Sequence, residues 1–307
     1  MASLERTILS LLLNLLRRCP RFAMGALLGF VGFVARRAGR KEWRQFDRNV
    51  ETILGLPAHS EFARQFKDQV IRHQAACAIE TIQAIYDPQK LQVEGFDLLT
   101  QHVKRAEAEG KGHLILTAHL GSWELVAFYG ALAASNPFRV LAKPARRPAM
   151  TEALDALRSR MGVKVLWTDR KTLLRDMLAT LRGGGSVGFV MDQKPEGRAG
   201  PRVKFFDRET EFVAGPATMA LKTGALPICL FCVREGPFRF RLITKVIEVS
   251  SDSTDASLTQ EMATEIERVI RLYPEQWTWN YKRWRSADLE TVRVPESTAQ
   301  GKPAITT

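Results

Sequence analysis

From Leu114 onward the chain alternates short apolar runs with amphipathic ones, and this alternation constrains the fold more than any other feature. Leu114 to Thr117, Phe138 to Ala142, Val163 to Trp167 and Val187 to Met191 read as strands. Ala149 to Met161 and Thr172 to Arg182 read as helices, the second stopped by Gly183-Gly184-Gly185. Strands separated by helices argue for a largely parallel sheet with helices over it. Pro227 to Val233 and Phe238 to Val249, around Glu235-Gly236-Pro237, read as an antiparallel pair. Helical patterns occupy Glu42 to Leu54, Ser60 to Tyr86 and Ser257 to Tyr273. The prediction is an α/β fold: a mixed, largely parallel sheet covered by helices, after an N-terminal membrane-associating helical segment. Residues 1–40 form that segment, 41–292 the main domain, and 293–307 a polar tail with Pro and Gly that is expected to be disordered.

The membrane expectation rests on the first forty residues. Ile8 to Leu16 is apolar, Arg17-Arg18-Cys19-Pro20-Arg21 interrupts, and Phe22 to Ala35 is apolar again before Arg36-Arg37. The second run is shorter than the roughly 20 residues a spanning helix needs, and no cleavage pattern follows it. Two short apolar helices flanked by arginines suit a shallow or interfacial anchor, or else a buried helical hairpin. The net charge of +12 favours anionic partners: nucleic acid, lipid headgroups or an acidic carrier protein. The basic residues are scattered, without an aromatic RNP-like strand or helix-turn-helix pattern, so nucleic acid is not expected. Cys229-Leu230-Phe231-Cys232 lies in an apolar strand without a second such pair or a nearby His, and reads as core rather than as a zinc site. The cysteine spacing gives no disulfide framework, and the glycine triplet is not followed by Lys-Ser/Thr, so it is no phosphate loop.

The chemistry points to His119 and Glu124, in Thr117-Ala118-His119-Leu120-Gly121-Ser122-Trp123-Glu124. On a regular helix, positions five apart lie roughly 140° apart around the axis and do not meet. They meet if His119 ends a strand, Leu120-Gly121 turns, and Ser122 caps a helix starting at Trp123. Glu124 would then orient His119 as a general base for an alcohol. The plain alternative is a His that caps and a Glu that pairs with an Arg. With no GxSxG present, the simplest chemistry is direct attack of an activated hydroxyl on an acyl donor. Gly215-Pro216 opens a helix whose amides either meet an anion or are simply capped. Trp277, Trp279 and Trp284 read as packing.

The chain resembles the lipid A biosynthesis late acyltransferases, within the wider lysophospholipid acyltransferase superfamily. The resemblance runs from about Arg48 to Ser286. It is carried in order by Glu94-Gly95-Phe96-Asp97, the His119-x4-Glu124 motif, Arg160-Met161-Gly162, Met191-Asp192-Gln193, Lys204-Phe205-Phe206, Ala214-Gly215-Pro216-Ala217, Thr223-Gly224-Ala225 and Tyr273-Pro274-Glu275-Gln276-Trp277-Thr278-Trp279. It implies transfer of a fatty acyl group from acyl-acyl carrier protein or acyl-CoA to a lipid hydroxyl, with residues 41–292 as the acyltransferase domain. His119 would be the base and Glu124 its orienting acid. Arg160, Asp192, Gln193 and Gly215 would bind substrate, Arg160 at the oxyanion or a phosphate and Asp192 at the acceptor. It implies no bound cofactor or metal, a membrane surface as partner, and a place on the cytoplasmic face of a bacterial inner membrane. A lipid A precursor is the expected acceptor, with another glycolipid or a lysophospholipid next; a non-catalytic lipid-binding protein of this fold is the rival class. Lys194 after Asp-Gln, Asp207 in place of Gly after Phe-Phe, and Tyr281 in place of His depart from the family pattern.

Overall fold

The computed structural model describes residues 2–38, 40–58, 60–195 and 200–284. The tail expected from 293 lies outside the described residues. In chain order the elements are α1 (Ala2–Arg18), α2 (Arg21–Ala38), α3 (Arg40–Leu54), α4 (Glu61–Tyr86), β1 (Gln92–Glu94), α5 (Phe96–Ala108), β2 (His113–Thr117), α6 (Trp123–Ala133), β3 (Phe138–Ala142) and α7 (Pro148–Arg160). Then follow β4 (Lys164–Trp167), α8 (Leu173–Arg182), β5 (Ser186–Val190), β6 (Arg202–Phe205), β7 (Arg208–Glu211), α9 (Gly215–Thr223), β8 (Leu226–Gly236), β9 (Arg239–Val246) and α10 (Asp255–Leu272).

Seven strands form one sheet in the order β1-β9-β8-β2-β5-β3-β4, parallel at every pairing except β8 with β9. The expected mixed, largely parallel sheet is therefore present, and each predicted strand starts and ends within a few residues of the observed one. β2 is buried along its whole length because both faces are covered. One apolar cluster packs α3, α8, α9, α10 and the tryptophans against one face. Another packs α5, α6 and Cys77 of α4 against the other. Cys229 and Cys232 are buried free thiols on opposite faces of β8, and burial pushes both, and Cys77 (to about 12), up out of the reactive range. The core reading of that motif holds.

The sequence reading did not separate the β6–β7 hairpin. Its turn holds Phe206 and Asp207 at positive φ, 52° and 59°. Asp tolerates that backbone, which explains how it replaces the expected Gly. Phe206 is kept there by packing: its ring stacks on Trp277 at 6.0 Å, and the Arg271 guanidinium lies 4.8 Å from its centroid.

The N-terminal helices break at Cys19-Pro20, as the proline requires, and pack on α4, α1 also touching α7. Their outer faces expose Ile8, Leu11, Leu15, Phe22, Phe30 and Phe33. No single helix among the described residues is long and apolar enough to cross a membrane.

Candidate active site

Parallel register decides what His119 meets. Thr117 of β2 stands opposite Val190 of β5, so the residues two beyond each strand end, His119 and Asp192, come out side by side at the carboxyl edge of the sheet. Open α/β sheets place their ligands at this edge. His119 Nδ1 lies 2.8 Å from Asp192 Oδ1. A carboxylate only accepts, so Nδ1 carries the proton and Nε2 is left with its lone pair. Asp192 Oδ2 accepts two further bonds, from the His119 backbone N–H (3.0 Å) and from the Trp277 indole N–H (2.7 Å).

The electrostatics follow from this geometry. Burial opposes a charge on His119, but the charge and hydrogen bond of Asp192, with a smaller contribution from Glu124, outweigh it and hold the imidazole above its ordinary 6.5. Burial likewise opposes the Asp192 carboxylate, which is 2% exposed. The His119 charge and the bonds from His119 and Trp277 outweigh that and hold it below the usual carboxylate range.

The turn after His119 is clamped from behind. Gly121 sits at φ +58°, and a Cβ there would collide with the Cys232 carbonyl. Its N–H donates to Gln276 O (3.1 Å), the Ser122 N–H donates to Cys232 O (2.9 Å), and the Thr278 N–H donates to His119 O (3.1 Å). Arg234 of β8 makes a two-point bond to buried Glu80 of α4 at 2.8 and 2.7 Å. The Gln276 side chain bonds both the N–H and the C=O of Arg234. The 276–278 segment, α4 and β8 thus lock the histidine turn as one unit.

Two expected site residues and one expected helix cap change place or partner. Glu124 is in the first turn of α6, as expected, but it does not hold His119. Its two oxygens take the Arg158 guanidinium at 2.9 and 2.6 Å, and Asp192 is the carboxylate bonded to the imidazole. Ser122 precedes α6 without a side-chain cap; its hydroxyl bonds Thr81 at 2.6 Å. Arg160 is not brought to His119. Two residues along a helix turn the face by roughly 200°, so with Arg158 on Glu124, Arg160 points away and lies 4.6 Å from the Tyr86 ring. Gln193 is at the site, its amide nitrogen 3.5 Å from His119 Nε2. Gly215 opens α9 without a side-chain cap, against Phe189. The sequence reading missed Arg158 and Trp277 as site residues; spacing carried no signal for Trp277, which is 85 residues from its partner.

Beside Glu124 and Ser122 opens an apolar cavity of about 340 Å³ between α1, α4 and α7, lined by Leu9, Leu13, Ala78, Ile82, Leu157 and Met161 among others.

Comparison with known proteins identifies the lineage. The model of the bacterial lipid A biosynthesis acyltransferases matches residues 6–286. The chain belongs to that family. It is an O-acyltransferase. Among its relatives, the phosphatidylinositol mannoside acyltransferase of Mycolicibacterium smegmatis is 25% identical over 289 residues, covering 91% of each chain. That of Mycobacterium tuberculosis is 24% identical over 193 residues, covering 62% of this chain and 60% of its own.

Proposed function

We propose that this acyltransferase moves a fatty acyl group from an acyl thioester to a hydroxyl of a membrane glycolipid, with His119 as general base and Asp192 as the carboxylate that orients it. The observation that carries this is the His119–Asp192 bond, which leaves Nε2 unprotonated, with the His119 ring 5.2 Å from the Trp123 ring that lines an apolar cavity suited to a fatty chain. Along α4 the cavity lining runs from Gln74 to Ile85, roughly 16 Å at 1.5 Å per residue. The acceptor O–H gives its proton to Nε2 as its oxygen attacks the thioester carbonyl carbon. Asp192 stabilises the imidazolium that forms. The tetrahedral intermediate collapses, the C–S bond breaks, and the departing sulfur takes the proton from Nε2. The Gln193 amide nitrogen, 3.5 Å from Nε2, would donate to an oxygen reacting there. The Glu124–Arg158 pair holds the first turn of α6, which carries Trp123 between the histidine and the cavity. The thioester would come from acyl-acyl carrier protein or acyl-CoA.

The acceptor follows from likeness. The family description supports a lipid A precursor, and the names of the mycobacterial relatives support a phosphatidylinositol mannoside; both are glycolipids. The exposed apolar faces of α1 and α2 dock the enzyme to the membrane that holds the acceptor, at the cytoplasmic face of the inner membrane. The test is lipid mass spectrometry of cells with the gene, without it, and with His119→Ala. The gene should add one acyl chain to one glycolipid class, and the variant should not. An unchanged lipid profile, or full acylation by His119→Ala, overturns the reading.

A further inference from the structure

At the elbow between α1 and α2 lies a second cleft of about 370 Å³, separate from the apolar cavity but adjoining it. The two share an edge: Leu16 and Ile85 line the cavity, and their neighbours Arg17 and Tyr86 line the cleft. The cleft lining carries Arg17, Arg18 and Lys90 against one carboxylate, Asp87, 3.6 Å from Lys90. The Arg17 guanidinium rests 4.6 Å from the Tyr86 ring centroid, and Arg160 rests on the same ring at the same distance. An arginine held on an aromatic face keeps its N–H edge free for an anion.

These arginines are not needed to finish α1. Leu16 O in its last turn and Cys19 O just beyond it already accept the Gln83 amide at 2.9 and 3.0 Å. The elbow also has a defined setting. On one side α1 exposes Ile8, Leu11 and Leu15; on the other α2 exposes Phe22, at 90%, and Phe30. A cationic cleft between two apolar helix faces matches the depth profile of a bilayer, with phosphates just outside the hydrocarbon.

We propose that this cleft binds the phosphate of an anionic glycerophospholipid headgroup, so that the enzyme docks with the mouth of its apolar cavity held against the lipid. The proposal rests on the membrane docking stated above. It is distinct from a general attraction of a basic protein to a negative surface, because it assigns the contact to Arg17 and Arg18.

The test is co-sedimentation of the full chain with vesicles of phosphatidylcholine alone and of phosphatidylcholine with 30% phosphatidylglycerol. The comparison is between Arg17→Gln/Arg18→Gln and a charge-matched control, Arg36→Gln/Arg37→Gln, with circular dichroism to verify folding. The control removes the same charge from α2, where Arg36 is paired with Asp68 at 2.9 Å and Arg37 lies over Phe33. The cleft pair should lower binding to the anionic vesicles by about 30-fold and leave binding to neutral ones unchanged. The control should lower it by less than about 5-fold. Equal losses from the two pairs overturn the headgroup site and leave membrane docking standing. No binding of the unaltered protein to either vesicle removes the docking and the site together. Binding of glycerol 3-phosphate to the full chain at micromolar concentration without vesicles, lost in Arg17→Gln/Arg18→Gln, would assign the cleft to a soluble phosphate ester and overturn the lipid assignment.

Discussion

Replacing Asp192 by Asn should leave the fold intact and put the proton on the wrong nitrogen of His119. In the native site Asp192 Oδ2 accepts from two donors, the His119 N–H at 3.0 Å and the Trp277 indole at 2.7 Å, while Oδ1 accepts from Nδ1. Asparagine has a single oxygen. Turned to the two-donor side, it satisfies both donors and presents its NH2 to Nδ1, which must then be the acceptor, so the proton moves to Nε2. Turned the other way, it faces its NH2 against two buried donors. Leaving those two unpaired costs about 1–3 kcal/mol each, or about 2–6 kcal/mol together. Even the lower figure leaves only about 3% of molecules in that orientation, so the tautomer effect alone removes at least about 30-fold of the rate. The imidazolium also loses the carboxylate charge, and the combined loss should reach about 10³- to 10⁴-fold, the scale seen when a buried carboxylate behind a catalytic histidine is neutralised. The assay is acyl transfer in mixed micelles, with 15N NMR of the His119 ring at a pH where it is neutral. The pH profile carries a sign as well. The native carboxylate holds His119 above 6.5, so kcat/KM should rise with pH through a value above 6.5. Without the charge, burial remains and the limb of any residual activity should fall below 6.5. Activity within threefold of native, or an Nδ1–H tautomer in the variant, would refute the reasoning.

Trp277→Phe deletes the indole donor while keeping most of the packing. Asp192 becomes more basic, the imidazolium is held more strongly, and the acid limb should move to higher pH with a loss of about 10-fold in kcat; an unmoved profile reduces Trp277 to packing. Glu124→Gln and Arg158→Met each break a largely buried two-point ion pair, whose side chains are 25% and 15% exposed. Each should lower stability by about 2 kcal/mol in denaturant titrations, and the double variant should cost less than the sum. Additive losses would show that the pair is not coupled. Ala153→Leu fills part of the cavity between α1, α4 and α7, so the products should shift to shorter acyl chains by mass spectrometry while transfer continues; an unchanged chain-length distribution would place the acyl chain elsewhere.

The sheet, its helices and the histidine turn were legible because each is written in local order. Apolar runs at strand spacing, the glycine triplet after α8 and Gly121 at the turn act within a few residues of themselves. His119 and Glu124 stood out for the same reason: they sit in one short run. Their pairing did not survive, because the plain alternative for the glutamate, an arginine partner, was available from α7, which packs on α1, α4 and β4 with Arg158 within reach of Glu124. The phase of that helix selected Arg158 over Arg160, and a two-residue difference in sequence became opposite sides of a cylinder.

By itself the sequence determined the fold class, the family, and the histidine that presents a nitrogen at a strand end. Only the tertiary structure decided which carboxylate stands behind that nitrogen. Asp192 lies 73 residues from His119, and Trp277, which anchors Asp192, lies 85 residues further on. These contacts follow from β5 being the parallel neighbour of β2 in the register Thr117 to Val190, and from the 276–278 segment closing over the turn. Strand order and register are set by how whole faces bury against one another, which no local spacing records.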